Sequence, residues 1–393
     1  MEETWRWFGP DDTDSLEQIA QAGATGIVTA LDHVPTGDAW PVADIKARKQ
    51  LIEDAGLEWS VVESVPLHND IKLRSGNYRE HIEHYKQSIR HLGAAGVHKI
   101  CYNFMPVVDW TRTNLTYSLP NNAQALRFEM ADFAAYDLFV LKRPDARASY
   151  SADVIARATA HFDQMSPDAR DALEKNIIAG LPGGEGSYDR NGIRAAVDEF
   201  SKLGNDRYRA HLVAFLEEII PVAEEAGVVM AIHPDDPPFS LFGLPRVVST
   251  ADDARALLAA VPSPSNGLTM CAGSYGARGD NDLVAMIREF HEHIHFVHLR
   301  NIKRQGDGSF YESDHLDGDN DIVGIVNALL DAQQLRKDLP PALRRIPMRP
   351  DHGHTMGAEA DDENIRPGYS YAGRMKGLAE LRGVVHALTA LRR

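Results

Sequence analysis

Along nearly its whole length the chain alternates short apolar, β-prone runs with stretches of helical periodicity, and this alternation narrows the choice of fold more than any other feature. Candidate strands are TWRWF (4–8), TGIVTAL (25–31), LEWSVVE (57–63), HKICYNFM (98–105), GVVMAIH (227–233), GLTMCAG (267–273), IHFVHLR (294–300) and RRIPMRPD (344–351). Helical stretches fall near 14–22, 41–55, 78–95, 207–225, 250–260, 281–292, 320–334 and 372–391. Several helices run into glycine just before the next strand, as in QAGATG, EDAGLEW, GAAGVHK and EEAGVVM. Glycine there stops a helix in a left-handed cap and turns the chain toward the strand that follows.

Eight strands alternating with eight helices predict an α/β fold, a (β/α)8 TIM barrel, with residues 1–393 forming one catalytic domain. The rival is a doubly wound open sheet. No strand-Gly-x-Gly-x-x-Gly-helix unit supports it, and the glycine-rich GLPGGEGSYD (180–189) follows a helical stretch and reads as a loop. One insertion, 106–206, separates the fourth strand from its helix. Within it DWTRTNLTYSLPNNAQALRFE suggests a hairpin around PNNA, and SADVIARATAHFDQMSPDARDALEKNII reads as helices. A second long loop is expected over 301–319. Both would rise from the carboxyl ends of strands, where barrel active sites lie, as a lid or a subunit contact. The plainer alternative is an ordinary surface loop.

Charge removes some classes of function. The formal net charge is −16 with the acids spread out and no basic patch, so a nucleic-acid partner is not expected. An anionic substrate would need a local cation or a metal. No apolar run approaches the roughly 20 residues that span a bilayer, and MEETWRWFGP lacks a secretory pattern, so a cytoplasmic location is expected. Two cysteines, Cys101 and Cys271, do not make a disulfide framework.

Side chains two apart on a strand share a face. By that rule His233, Cys271, His298 and Asp351 each stand at the carboxyl end of one of the last four strands, on the face shared by the residues two and four before them. Taken singly, a strand-end histidine is more often a hydrogen-bonded loop residue, a cysteine is more often inert core, and Asp351 before His352 and Gly353 is an ordinary turn residue. Four neighbouring strands each offering a donor at one rim favour a metal site. The set N, S, N, O admits zinc, and also Mn(II) or Fe(II) if substrate oxygens complete the shell. In RPDHGH (349–354), His352 is the natural proton carrier near neutral pH, while His354 reads as a supporting or surface histidine. Tyr369, in RPGYSYAGRMKG, is either an acid/base group or a packing aromatic.

The motifs ETWRWFGP, GATGIVTALDHVP, EWSVVESVPLH, CYNFMPVVDWTRT, IAGLPG, AIHPDDPP, GLPRVVST, CAGSYGARGDND, HLRN and RPDHGH…RPGY…GRMKGLAELRG resemble those of mannonate dehydratase, in collinear order. The resemblance implies a barrel of the xylose-isomerase-like group and a hydro-lyase that converts D-mannonate to 2-dehydro-3-deoxy-D-gluconate in hexuronate breakdown. It also implies one Mn(II) or Fe(II) per subunit and a homodimer or larger assembly. Its metal ligands fall on His233, Cys271, His298 and Asp351, and its acid/base groups on Asp351, His352 and Tyr369. With a sugar acid as substrate, Arg300 is the candidate for its carboxylate, and Asn103 and Trp110 for the pocket wall. The alternatives are a metal-dependent sugar isomerase of the same barrel group and a non-catalytic metal-binding protein.

Overall fold

The computed structural model describes residues 1–178, 188–360 and 362–392. The glycine-rich loop expected at 180–189 lies almost entirely outside them. The strands are β1 (Glu2–Arg6), β2 (Gly26–Thr29), β3 (Glu58–Glu63), β4 (Lys99–Tyr102), β5 (Asn114–Ser118), β6 (Gln124–Phe128), β7 (Val229–Ile232), β8 (Asn266–Cys271), β9 (Ile294–His298), β10 (Ile302–Arg304), β11 (Phe310–Glu312) and β12 (Pro347–Arg349). Eight of them close into a barrel in the order β1-β12-β9-β8-β7-β4-β3-β2, every pair parallel. Each expected apolar run supplies one stave. The glycines expected to cap the preceding helices, Gly23, Gly56, Gly96 and Gly227, all have positive φ.

Alternation along the staves sorts their side chains into two layers. Val28, Val61, Cys101, Ala231 and Phe296 form a buried cluster of their own. Their neighbours in sequence, Ile27, Val62, Ile100, Met230, Ile232 and Val297, join the main core with helix residues such as Ile45, Ile89, Ile219 and Ile325. A fully buried side chain of this size contributes about 1.5–3 kcal/mol, so the parity of each stave is strongly fixed. Continuing it to the carboxyl ends places Arg6, Glu63, Asn103, His233, Cys271, His298 and Arg349 in register with the inner layer. Several staves are shorter than expected at that end: HKICYNFM leaves the sheet after Tyr102 and IHFVHLR after His298. There the chain turns to deliver side chains instead of continuing the ladder.

The insertion contains the expected hairpin, β5 with β6, and the helices Ala152–Gln164 and Pro167–Ile178. The expectation for 301–319 needs correcting. This segment is not a plain loop: β10 and β11 pair antiparallel within it, and β11 joins β6 to make a four-stranded sheet, β10-β11-β6-β5. Its glycines and aspartates hide the short strands, which are stabilised by pairing with a partner almost two hundred residues away in sequence. Stacked Phe128 and Phe310, with ring centroids 5.8 Å apart, join the two segments. The sheet therefore ties the insertion to the segment leaving β9, at the carboxyl end of the barrel. Among the described residues no helix is long and apolar enough to cross a membrane.

Candidate active site

Four neighbouring staves, β7, β8, β9 and β12, bring His233, Cys271, His298 and Asp351 together at that end. One ligand atom from each of His233, Cys271 and His298 lies within 4.8 Å of the others. Asp351 completes the group: its Oδ2 is 3.6 Å from His298 Nδ1 and 4.0 Å from Cys271 Sγ.

The hydrogen bonds around this set leave lone pairs facing inward. Pro234 O can only accept, so the 2.7 Å contact from His233 Nδ1 requires the proton on Nδ1 and frees Nε2. Burial also lowers the pKa of His233, favouring the neutral ring that a metal needs. His298 Nε2 lies 3.2 Å from Glu63 Oε1 and also accepts from Arg349 Nε at 3.1 Å, while among the described residues buried Nδ1 has no hydrogen-bond partner. A carboxylate holding the far nitrogen of an imidazole is the usual support of a metal ligand. Glu63 is held in turn by Arg349, whose Nη2 lies 2.9 Å from Oε2. Cys271 is wholly buried and receives a 3.2 Å hydrogen bond from Ser274. Burial opposes ionisation of Asp351, but Arg349, His352, His298 and Arg300 outweigh it and hold the carboxyl well below its usual range. An orphaned buried nitrogen, a second free one, a buried thiol and an ionised carboxylate fit a divalent transition ion. Glu63→Gln is expected to weaken divalent-ion binding about 10–100-fold by releasing the His298 ring. Titration of metal-free protein, followed by calorimetry, would measure it; unchanged affinity would leave Glu63 a purely structural residue.

The geometry also explains how two consecutive residues of RPDHGH can serve one cavity. Strict alternation would point Asp351 and His352 apart. Asp351 instead has φ +69°, a left-handed turn that breaks the strand, and both side chains line the cavity. The loop is then pinned: Gly353 bridges to Tyr369, Gly353 N donates to Gly368 O at 2.8 Å, and His315 Nε2 donates to Pro350 O at 2.9 Å. A Cβ at Gly353 would lie 2.3 Å from Arg374 N, so only glycine permits this close approach. The bridge brings Tyr369 beside His352, their rings 5.3 Å apart edge to face. His352 is 5% exposed, with Nδ1 3.3 Å from Glu312 Oε1. Burial raises the pKa of the Tyr369 phenol, which keeps it protonated. His354 faces away from this centre and ties Nε2 to Glu312 O at 3.0 Å.

Asn103, Trp110 and Arg300 line the same cavity. Asn103 Oδ1 accepts from Met105 N at 3.2 Å, and the Trp110 ring sits 6.0 Å from that of His352. Arg300 is surrounded by carboxylates: Asp236 at 2.8 Å, Glu312 at 3.2 Å and Asp351 at 3.3 Å. Arg112, from the insertion, bridges Asp236 and Glu312, each at 2.8 Å.

Sequence reasoning passed over Arg6, Glu63, Arg349, Asp236, Glu312 and Arg112. The first three could have been found: extending the two-residue parity to the ends of the first and third staves, and to Arg349 beside Asp351, marks inward-facing charges. Asp236, Glu312 and Arg112 sit in loops with no periodicity to follow.

A family model described as "D-mannonate dehydratase (UxuA)" matches residues 1–393. A curated mannonate dehydratase of Saccharophagus degradans is 67% identical over 393 residues, covering 100% of this chain and 99% of its own length. A mannonate dehydratase of Agrobacterium fabrum is 54% identical over 390 residues, covering 99% and 97%. The crystal structure of mannonate dehydratase from Streptococcus suis superposes with a TM-score of 0.78 at 34% identity, covering 100% of this chain and 94% of that one. A D-allulose 3-epimerase from Methylomonas shares the fold alone, at TM-score 0.50 and 11% identity, over 98% of each chain.

Proposed function

The chain belongs to the D-mannonate dehydratase family, and from that premise we infer how its own residues carry the reaction. It is a hydro-lyase: D-mannonate loses water across C2 and C3 to give 2-dehydro-3-deoxy-D-gluconate. The observation that carries the residue assignments is the meeting of His233, His298 and Asp351 with the His352–Tyr369 pair in one cavity, with buried Cys271 beside the two histidines.

The proton on C2 is weakly acidic because it lies beside a carboxylate, and its removal loads further negative charge onto those oxygens. His233, Cys271, His298 and Asp351 would hold a divalent ion, proposed to be Mn(II) or Fe(II). When bound, such an ion would supply positive charge to offset that negative charge, a contribution of about 3–4 kcal/mol. Asp351, committed to that ion, is a poor free base. We assign the base to His352. Glu312 beside Nδ1 keeps a proton on that nitrogen, leaves Nε2 to accept, and stabilises the imidazolium that forms. Tyr369, held protonated by burial, is the acid that gives its proton to the departing C3 hydroxyl. Asn103, Trp110 and Arg300 would bound the sugar acid. The four-stranded sheet would cover the site, and the assembly is proposed to be a homodimer or larger.

The test is turnover of D-mannonate by protein loaded with Mn(II) or Fe(II), followed as formation of a 2-keto-3-deoxy acid. Tyr369→Phe is expected to retain its metal and lower kcat about 10²–10⁴-fold, the range for loss of a general acid. A wild-type rate in that variant would remove Tyr369 from the chemistry.

A further inference from the structure

The buried cations around the cavity can be set against the buried anions. Arg349 pairs with Glu63 at 2.9 Å and Asp351 at 2.7 Å. Arg300 is met by Asp236, Glu312 and Asp351, and Arg112 by Asp236 and Glu312. A fourth carboxylate arriving at Arg300 would therefore enter a place already rich in negative charge.

Arg6 differs. It ends β1 in the inner parity, lines the cavity and is 5% exposed, yet no carboxylate among the described residues lies within ion-pair distance of it. Its hydrogen bonds leave from Nη1, to Trp7 O at 2.9 Å and to Val28 O at 3.5 Å. Among the described residues Nε and Nη2, which share the other edge of the guanidinium, have no acceptor. Phe8 packs against the guanidinium, with Cζ 4.4 Å from the ring centroid, and limits how far it can turn. A charge buried without a carboxylate in contact is costly. A fork with two free donors on one edge, held over an aromatic ring, is shaped for a carboxylate.

We propose that Arg6 binds the carboxylate of the sugar acid through the Nε–Nη2 edge of its guanidinium. This assignment rests on the dehydratase reading above and moves the carboxylate from Arg300, the residue that the sequence suggested. Phe8 also meets Tyr369 edge to face at 4.9 Å, so the acid end of the substrate lies on the Tyr369 side of the cavity. That places C3, two bonds from the carboxylate carbon, within the neighbourhood of the phenol. The guanidinium also discriminates: a neutral polyol or aldose would leave it buried and unpaired, so the site selects for the acid.

The experiment compares wild type, Arg6→Gln and Arg6→Lys, each loaded with Mn(II), with D-mannonate as substrate. Metal content and the thermal melt are recorded alongside kcat and KM. Arg6→Gln is expected to keep its metal, because Arg6 touches none of the four ligands, and to raise KM about 100-fold, equivalent to two tenfold steps of about 1.4 kcal/mol. Arg6→Lys restores the charge without the fork and should recover roughly tenfold of that loss. The assignment is overturned if KM is unchanged in Arg6→Gln, or if lysine and glutamine lose equally. Should Arg6→Gln not fold, Arg6→Lys decides: a wild-type KM overturns the assignment, and a KM raised roughly tenfold with metal intact supports it. If wild type itself makes no 2-keto-3-deoxy acid, it is the dehydratase reading that fails, whatever the variants do.

Discussion

His298→Ala protein is expected to purify folded, without its divalent ion, and to dehydrate D-mannonate at least about a thousandfold more slowly than wild type. The rate loss follows from the charge that must be compensated when C2 gives up its proton; removal of even one preorganised stabilising group commonly costs about 10²–10³ in kcat. Of the four proposed ligands, His298 is the one whose loss should spread furthest. Its Nδ1 is the orphaned atom of the cluster, and its Nε2 connects the cluster to Glu63 and through it to Arg349. Without the ring, Asp351 Oδ2 and Cys271 Sγ remain but the set drops to three donors. The fold should survive because Glu63 keeps Arg349 as its partner, and Phe296, Val297 and the rest of β9 are untouched. Bound metal measured by elemental analysis, together with turnover at saturating Mn(II), checks this. Full activity with stoichiometric metal would mean that His298 is not a ligand.

Arg112→Ala is expected to destabilise the protein by about 3–5 kcal/mol at pH 7, the cost of stranding a buried partner. Arg112 is fully buried and holds Asp236 and Glu312 at once, while its guanidinium lies 4.8 Å from the rings of both Trp110 and Phe310. Its removal leaves two desolvated carboxylates with Arg300 as their one shared cation, helped by Ser274 at Asp236 and His352 at Glu312. Burial would push both acids up; the arginines outweigh it, with Arg300, His352 and Arg112 holding Glu312 at about 2, and Arg112 with Arg300 holding Asp236 well below its usual range.

The sign of the pH effect follows. A carboxyl with a depressed pKa in the folded state stabilises fully above its unfolded pKa, about 4.3 for glutamate, and that stabilisation is lost as pH falls toward about 2. Arg112→Ala brings both folded pKa values back up, so the variant's deficit should be largest at neutral pH and narrow below about pH 4. Urea unfolding of both proteins at pH 7 and pH 3 tests it. A deficit independent of pH would point to lost packing against Trp110 and Phe310 instead of lost charge pairing.

The barrel and its donors were legible because both depend on a local rule. A strand points alternate side chains to alternate faces whatever lies beyond it, so the runs ending in His233, Cys271 and His298 carry their own statement of which residues face inward. Glycines at helix ends add a second local signal, and closing the sheet needs nothing more than eight such units in succession. The limit of that rule shows at Asp351. One left-handed residue there lets the next side chain, His352, share the cavity, and no spacing in RPDHGH announces it. The same holds for the charges that secure the site. Arg112 meets Asp236 and Glu312 across 124 and 200 residues of chain, and His352 meets Glu312 at 3.3 Å because two short strands of an apparent loop pair with the insertion. Arg6 likewise shares a cavity with Arg349 because the last stave closes onto the first. Periodicity is a property of neighbours along the backbone. Which buried charge finds a partner, and which is left waiting for a substrate, depends on the Coulomb energy between segments that have nothing in common until the chain has folded.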